Sequence, residues 1–144
     1  MPGQNERIVQ IVDREVRRFR GIKEKDAAAK PAPEKWSRKE VLGHLIDSAS
    51  NNHQRFVRAQ VSEELVFPGY AQNDWVRIEG FAEEKWDDIV GLWSAINRHL
   101  AHIISRIPSS RLATLCRIGD NAPVTVEALI ADYIKHMEHH LEQI

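Results

Sequence analysis

His136 and His140 stand one helical turn apart near the end of the sequence, in the run Asp132-Tyr133-Ile134-Lys135-His136-Met137-Glu138-His139-His140-Leu141-Glu142-Gln143-Ile144. Tyr133, His136, Met137, His140, Leu141 and Ile144 follow the spacing i, i+3, i+4, i+7, i+8 and i+11, which is one face of a helix. Both imidazoles therefore turn to the apolar side. Their Cβ atoms sit roughly 5–6 Å apart, close enough for a nitrogen of each to share one cation. For this pair alone, the alternative is a half-buried couple with ordinary hydrogen bonds. His139 falls outside that face and is expected to meet solvent or a partner.

A third imidazole would complete a three-histidine set, which leaves coordination open for water or substrate and so permits catalysis as well as binding. His44 is the candidate, because His44, Asp47, Ser48, Asn51 and Arg55 fall in one narrow polar stripe beside an apolar helix face. That stripe is what a site-lining face looks like, and also what a solvated face looks like. Asp47, one turn beyond His44, is placed either to accept a hydrogen bond that orients an imidazole or to act as a base on metal-bound water. Arg55 could anchor a carboxylate of substrate or cofactor, or form an ordinary surface salt bridge. His53 lies on the opposite side from His44, and His99 and His102 are expected at the surface or the bundle edge.

Four helices must position these residues. Ile8, Ile11, Val12, Val16 and Phe19 predict a first helix from about Asn5 to the low twenties, after which Pro31 and Pro33 break the chain. Ser37 followed by Glu40 is a capping-box pattern that opens a second helix running to about Ala59. Gln60 to about Gly80, with Pro68 and Gly69, predicts a long irregular connection with a short helical turn, the kind of loop that carries function. Tyr70, Trp75 and Phe67 in it either line a recognition surface or pack on the core. A third helix from about Ala82 to Arg106 has the stripe Trp86, Ile89, Val90, Trp93, Ile96, Leu100 and Ile103, and Pro108 ends it. Ser109 to Pro123 reads as a loop or short hairpin, and Thr125 can cap a last helix reaching Ile144. With no strand pattern long enough to build a sheet, the fold class is all-α, a four-helix bundle, with residues 1–144 read as a single domain.

The chain has 144 residues, 42% hydrophobic and 28% charged, an ordinary globular balance. The net charge of −1 supplies no basic field for a phosphate backbone, so nucleic acid is not an expected partner. The basic stretch Arg14, Arg17, Arg18, Arg20, Lys23 and Lys25 is interleaved with Asp13, Glu15, Glu24 and Asp26 and reads as a solvated face of mixed charge. No apolar run approaches the roughly 18 residues that span a bilayer, and Met1 to Arg20 is charged rather than signal-like, so no membrane association and a cytoplasmic location are expected. Cys116 is the only cysteine, which excludes an internal disulfide and any cysteine-based zinc cluster, leaving histidines and carboxylates as ligands. The apolar stripes of the first and third helices exceed what one core needs, and a homodimer is a reasonable expectation.

The segment from Trp36 to Ser48, with Asn51-Asn52, Arg55-Phe56 and Tyr70 to Trp75, resembles the DinB-like superfamily, as does the ending His136 to Ile144. That resemblance implies an up-down-down-up four-helix bundle and a metal held by His44 from the second helix with His136 and His140 from the last. The metal it implies is one divalent transition ion, commonly nickel or zinc, sometimes manganese or iron, all compatible with three imidazoles and water. Characterised members include thiol S-transferases and isomerases that use bacillithiol or mycothiol, so a low-molecular-weight thiol is an implied cofactor; others carry only a metal-dependent hydrolase label. The chain departs from the pattern at Leu141 and Glu142, where many members have Arg-Gly. The leading expectation is a metal-dependent enzyme, thiol S-transferase or hydrolase, acting on a small-molecule substrate. The competing one is a non-catalytic helical module that binds a ligand or partner in the bundle cleft, its metal site structural or vestigial.

Overall fold

A computed structural model describes residues 3–144. Its elements run α1 (Gln4–Arg20), α2 (Glu24–Ala28), α3 (Arg38–Arg58), β1 (Glu64–Phe67), α4 (Gln72–Glu79), α5 (Trp86–Ser105), β2 (Leu115–Ile118), β3 (Val124–Thr125) and α6 (Val126–Leu141). The four long helices form a bundle whose directions follow from the contacts between them. Phe19, at the end of α1, packs edge-on against Trp86 and Trp93 in the first half of α5, so α1 and α5 run antiparallel. Gly43, early in α3, lies against Phe81 just before α5, and His53, late in α3, lies beside His99, late in α5, so this pair runs parallel. Phe56 meets Tyr133 while His44 meets His140, which makes α3 and α6 antiparallel. The bundle is therefore up-down-down-up, and its parallel middle pair requires the long connection between α3 and α5.

The helix starts are chemically marked. Ser37 Oγ accepts from the Glu40 amide and the Glu40 carboxylate accepts from the Ser37 amide, so the predicted capping box closes. Thr125 Oγ1 accepts from the Ala128 amide and opens α6. Helix α5 begins at Trp86 rather than at the expected Ala82. Phe81–Glu83 form one tight turn and Glu84 is extended; no local side chain caps Trp86, and its amide donates instead to Glu24 Oε2 from α2. Lys39, buried at the start of α3, pairs with the other oxygen of the same carboxylate at 2.7 Å, so one acid ties α2, α3 and α5 together. Helix α6 stops at Leu141, short of the expected Ile144, its last residues forming a turn.

Two other expectations are corrected. The connection from Gln60 to Gly80 is ordered into strand β1 and the two-turn helix α4, not a single helical turn. A sheet is present: β1 pairs in parallel with β2, which pairs antiparallel with β3, in the order β1-β2-β3. Strands of two to four residues are too short for alternation to show, and β1 finds its partner some fifty positions away, Glu64 opposite Leu115.

Helix α3 is the central helix, with every residue from Val41 to Ala49 buried. Its polar stripe is thus covered by protein, which excludes the solvated reading of His44. Gly43 makes the close packing work. A Cβ there would stand 2.3 Å from the Phe81 ring, which lies on the helix backbone itself. Gly80, with φ 70°, ends α4 in the left-handed conformation and turns the chain so that Phe81 can reach that position. Among the described residues no helix is long and apolar enough to cross a membrane.

Candidate metal centre

The antiparallel crossing of α3 and α6 puts the second turn of one opposite the last two turns of the other. His44, His136 and His140 meet there, each offering a ligand nitrogen within 4.8 Å of the others. Their ring centroids are 4.5–5.1 Å apart. His44 Nε2 and His136 Nε2 are separated by 3.2 Å. Two nitrogens each about 2.0–2.1 Å from one tetrahedral ion stand roughly 3.3 Å apart, so this spacing suits a shared cation as well as a hydrogen bond.

The surroundings prepare the rings as ligands. Burial first, and the neighbouring imidazoles second, lower the His44 and His136 pKa values to about 4. Both are neutral at pH 7 and keep a lone pair for a metal. His140 Nδ1 lies 3.0 Å from Gln143 Oε1, so the ring donates from Nδ1 and leaves Nε2 as the free acceptor facing its partners. The Trp36 ring covers His44 at 5.1 Å. His44 Nδ1 is buried without a hydrogen-bond partner. The donor set and its spacing fit a divalent transition ion.

His44 and His136 sit at one end of a cavity of about 300 Å³ that runs along α3 past Ser48 and Asn52 to Arg55, with Tyr133 of α6 beside it. Gly69 and Tyr70 from the α3–α4 connection and Asn121 from the α5–α6 connection also line it. These connections are clipped together by the sheet and by the Gly119 amide, which donates to Phe67 O at 2.9 Å. Gly119 has φ 55°, and its Cα side faces the bare backbone of Gly69.

Asp47 is buried but makes no hydrogen bond to any histidine; its Oδ2 is without a partner, and the carboxyl faces Glu79 at the end of α4. Burial, followed by the Glu79 carboxylate, raises its pKa to about 8. Arg55 is 8% exposed and lies in the cavity wall, its guanidinium carbon 5.6 Å from the Phe67 ring centroid. Tyr70 also lines the cavity and stacks at an angle on Trp75, 4.9 Å away, while Phe67 packs against the core. His99 and His102 are exposed and His53 pairs with His99, apart from the three-histidine cluster, whereas the exposed His139 ring packs edge-on 5.2 Å from His140 without belonging to the ligand set.

The sequence reading missed Gln143, Glu79 and the cavity role of Tyr133. Gln143 had a signal, since it stands three residues beyond His140 and can reach back one turn. Tyr133 had one too, three residues before His136 on the same face. Glu79 had none, because its approach to Asp47 depends on how α4 docks on α3.

Residues 9–144 match the DinB superfamily. A "putative metal-dependent hydrolase" of Halalkalibacterium halodurans is 21% identical over 109 residues, which cover 76% of this chain and 63% of that protein. A second protein of that name, from Oceanobacillus iheyensis, is 24% identical over 109 residues, covering 76% and 62%. The chain thus spans about three fifths of the length of these curated relatives. Among solved structures, YfiT from Bacillus subtilis, described as a "probable metal-dependent hydrolase with an unusual four-helix bundle topology", superposes with a TM-score of 0.79 at 15% identity, over 95% of this chain and 81% of that one. A mycothiol-dependent maleylpyruvate isomerase superposes with a TM-score of 0.76 at 12% identity, over 97% and 60%. At such identities the superpositions establish the fold, and the sequence match supplies the kinship. The chain belongs to the DinB superfamily.

Proposed function

We propose that this protein is a metal-dependent enzyme that transforms a small molecule, by thiol S-transfer or hydrolysis, in the cavity beside His44, His136 and His140. The observation that carries the reading is the convergence of three imidazoles, from two antiparallel helices, beside a cavity that a small ligand can enter. The three histidines would hold one divalent ion, with nickel and zinc the first candidates and manganese and iron after them. Such an ion, when bound, supplies Lewis-acid chemistry, lowering the pKa of a water or thiol beside it and polarising an electrophile.

The chain's own groups do the rest. Gln143 fixes the ring orientation of His140. The Trp36 ring lies over His44, and Tyr70 and Asn121 line the cavity beside it. Asp47, its pKa raised to about 8 by burial and by Glu79, is protonated at neutral pH and so does not serve there as a base. The relatives' names support the hydrolase branch, and the isomerase's use of mycothiol supports the thiol branch.

The test is elemental analysis of protein purified without a histidine tag, alongside His44→Ala, His136→Ala and His140→Ala. The expected result is close to one transition-metal ion per chain in the wild type and a loss in each variant, with helical content unchanged by circular dichroism. Equal metal content in wild type and variants would end the proposal. Calorimetric titration of the metal-loaded protein with a low-molecular-weight thiol then separates the two reactions, because tight binding is expected only for the S-transferase.

A further inference from the structure

Arg55 is the most buried arginine of the chain, and among the described residues its guanidinium makes no ion pair and donates no hydrogen bond. Its Nε is fully enclosed and without a partner. The contrast with the surface is sharp: Arg7, Arg14, Arg18, Arg20, Arg77 and Arg98, all substantially exposed, each meet a carboxylate. A buried charge without a counterion is costly, and a guanidinium cannot lose its proton to escape the cost. The Phe67 ring offers a π face to it but no anion.

Arg55 lines the same cavity as His44 and His136. His44 and Arg55 are 11 residues apart on α3, about 16 Å of helix rise, and an arginine on a helix leans back toward the N-terminus, which here is the histidine end. The cavity, about 300 Å³, is at the small end of ligand pockets. No lysine and no second arginine line it, and Asp132 stands on its wall. A single planar fork with that neighbour suits a monoanionic carboxylate rather than a phosphate dianion.

We infer that Arg55 is a carboxylate-binding residue, and that the molecule transformed at the histidine end, or the thiol that reacts with it, is a small carboxylic acid held through this guanidinium. The placement of the reacting group rests on the metal reading above; the carboxylate site does not. With the acid bound, the fork is paired and the positive charge in the wall is neutralised.

The probes are propionate, 3-mercaptopropionate, 2-mercaptoethanol and inorganic phosphate, titrated by calorimetry into the full chain, both metal-stripped and metal-loaded, and into Arg55→Met and Arg55→Lys. The expected result is that propionate and 3-mercaptopropionate bind the metal-stripped wild type, bind Arg55→Met roughly 10- to 100-fold more weakly, and bind Arg55→Lys in between. Arg55→Met without ligand should melt higher than wild type, because an unpaired buried charge has been replaced by an apolar side chain of similar length. In metal-loaded protein, 3-mercaptopropionate should outbind 2-mercaptoethanol, and His136→Ala should lose the thiol gain while keeping carboxylate binding. Failure of the metal reading thus leaves the Arg55-dependent binding intact. The inference is overturned if propionate binds wild type and Arg55→Met equally or not at all, if phosphate outbinds it, or if Arg55→Met alone lowers the melting temperature.

Discussion

Gly43→Ala tests whether the Phe81 ring is seated on the α3 backbone as described. The added Cβ would lie 2.3 Å from Cδ2 and Cγ of Phe81 and 2.8 Å from Cδ1. Carbon atoms in contact prefer about 3.5–4.0 Å, so the ring must retreat by more than about 1 Å. Phe81 is 4% exposed and held in a tight turn after Gly80, so it cannot swing into solvent without exposing its ring. Overpacking of this kind costs about 1–3 kcal/mol, while alanine in place of glycine in a helix interior returns up to about 1 kcal/mol. The net expectation is a loss of about 1 kcal/mol, seen in urea as a lower midpoint at constant slope. In a Phe81→Ala background the steric term vanishes and only the helix term remains. There the same substitution should stabilise by up to about 1 kcal/mol, giving a coupling energy near 2 kcal/mol. A Gly43→Ala protein more stable than wild type, or an unchanged effect in the Phe81→Ala background, would refute the packing argument.

Gln143→Leu should leave the fold intact and weaken metal affinity roughly tenfold or more, since the acceptor that orients His140 is lost; competition with a chromophoric chelator measures it. Asp47→Asn addresses the pH dependence of the metal-stripped protein. The folded state holds the Asp47 proton up to about pH 8 whereas the unfolded chain releases it near 3.8, so this group's contribution to stability is complete below about 3.8 and is lost as pH rises to about 8. Urea midpoints of wild type should therefore fall relative to Asp47→Asn over that window, and parallel curves would show that the burial and the Glu79 contact do not perturb Asp47. Thr125→Ala should cost about 1 kcal/mol in the same assay through loss of the α6 cap, with threonine-to-serine restoring most of it.

Much of the site could be read from the sequence because it is built from two locally encoded helices. The i, i+3, i+4 pattern around His136 and His140 fixes which way both rings turn, and Ser37 with Glu40 fixes where α3 starts and hence the phase of His44. What brings the two helices together is not local. The burial of α3 on all sides, which decides that His44, Asp47 and Arg55 are enclosed rather than solvated, arises from α4, the sheet and Phe81 packing around it. Residues such as Glu79 and Glu24 act only through that docking: Glu24 on α2 caps α5 and pairs with α3, a role without a trace in its neighbours in sequence. The short strands escaped for a related reason, since four residues with two facing inward give no period to detect.

The clip between the two long connections joins one wall of the cavity into a single piece. Gly69, Tyr70 and Asn121 come from separate parts of the chain, yet β1–β2 pairing and the Gly119 to Phe67 bond hold their connections together. None of the three is among the histidines of the cluster, so they can change without touching its nitrogens. Under the proposed function, the residues that would select a molecule thus belong to a different part of the fold from the imidazoles that would act on it.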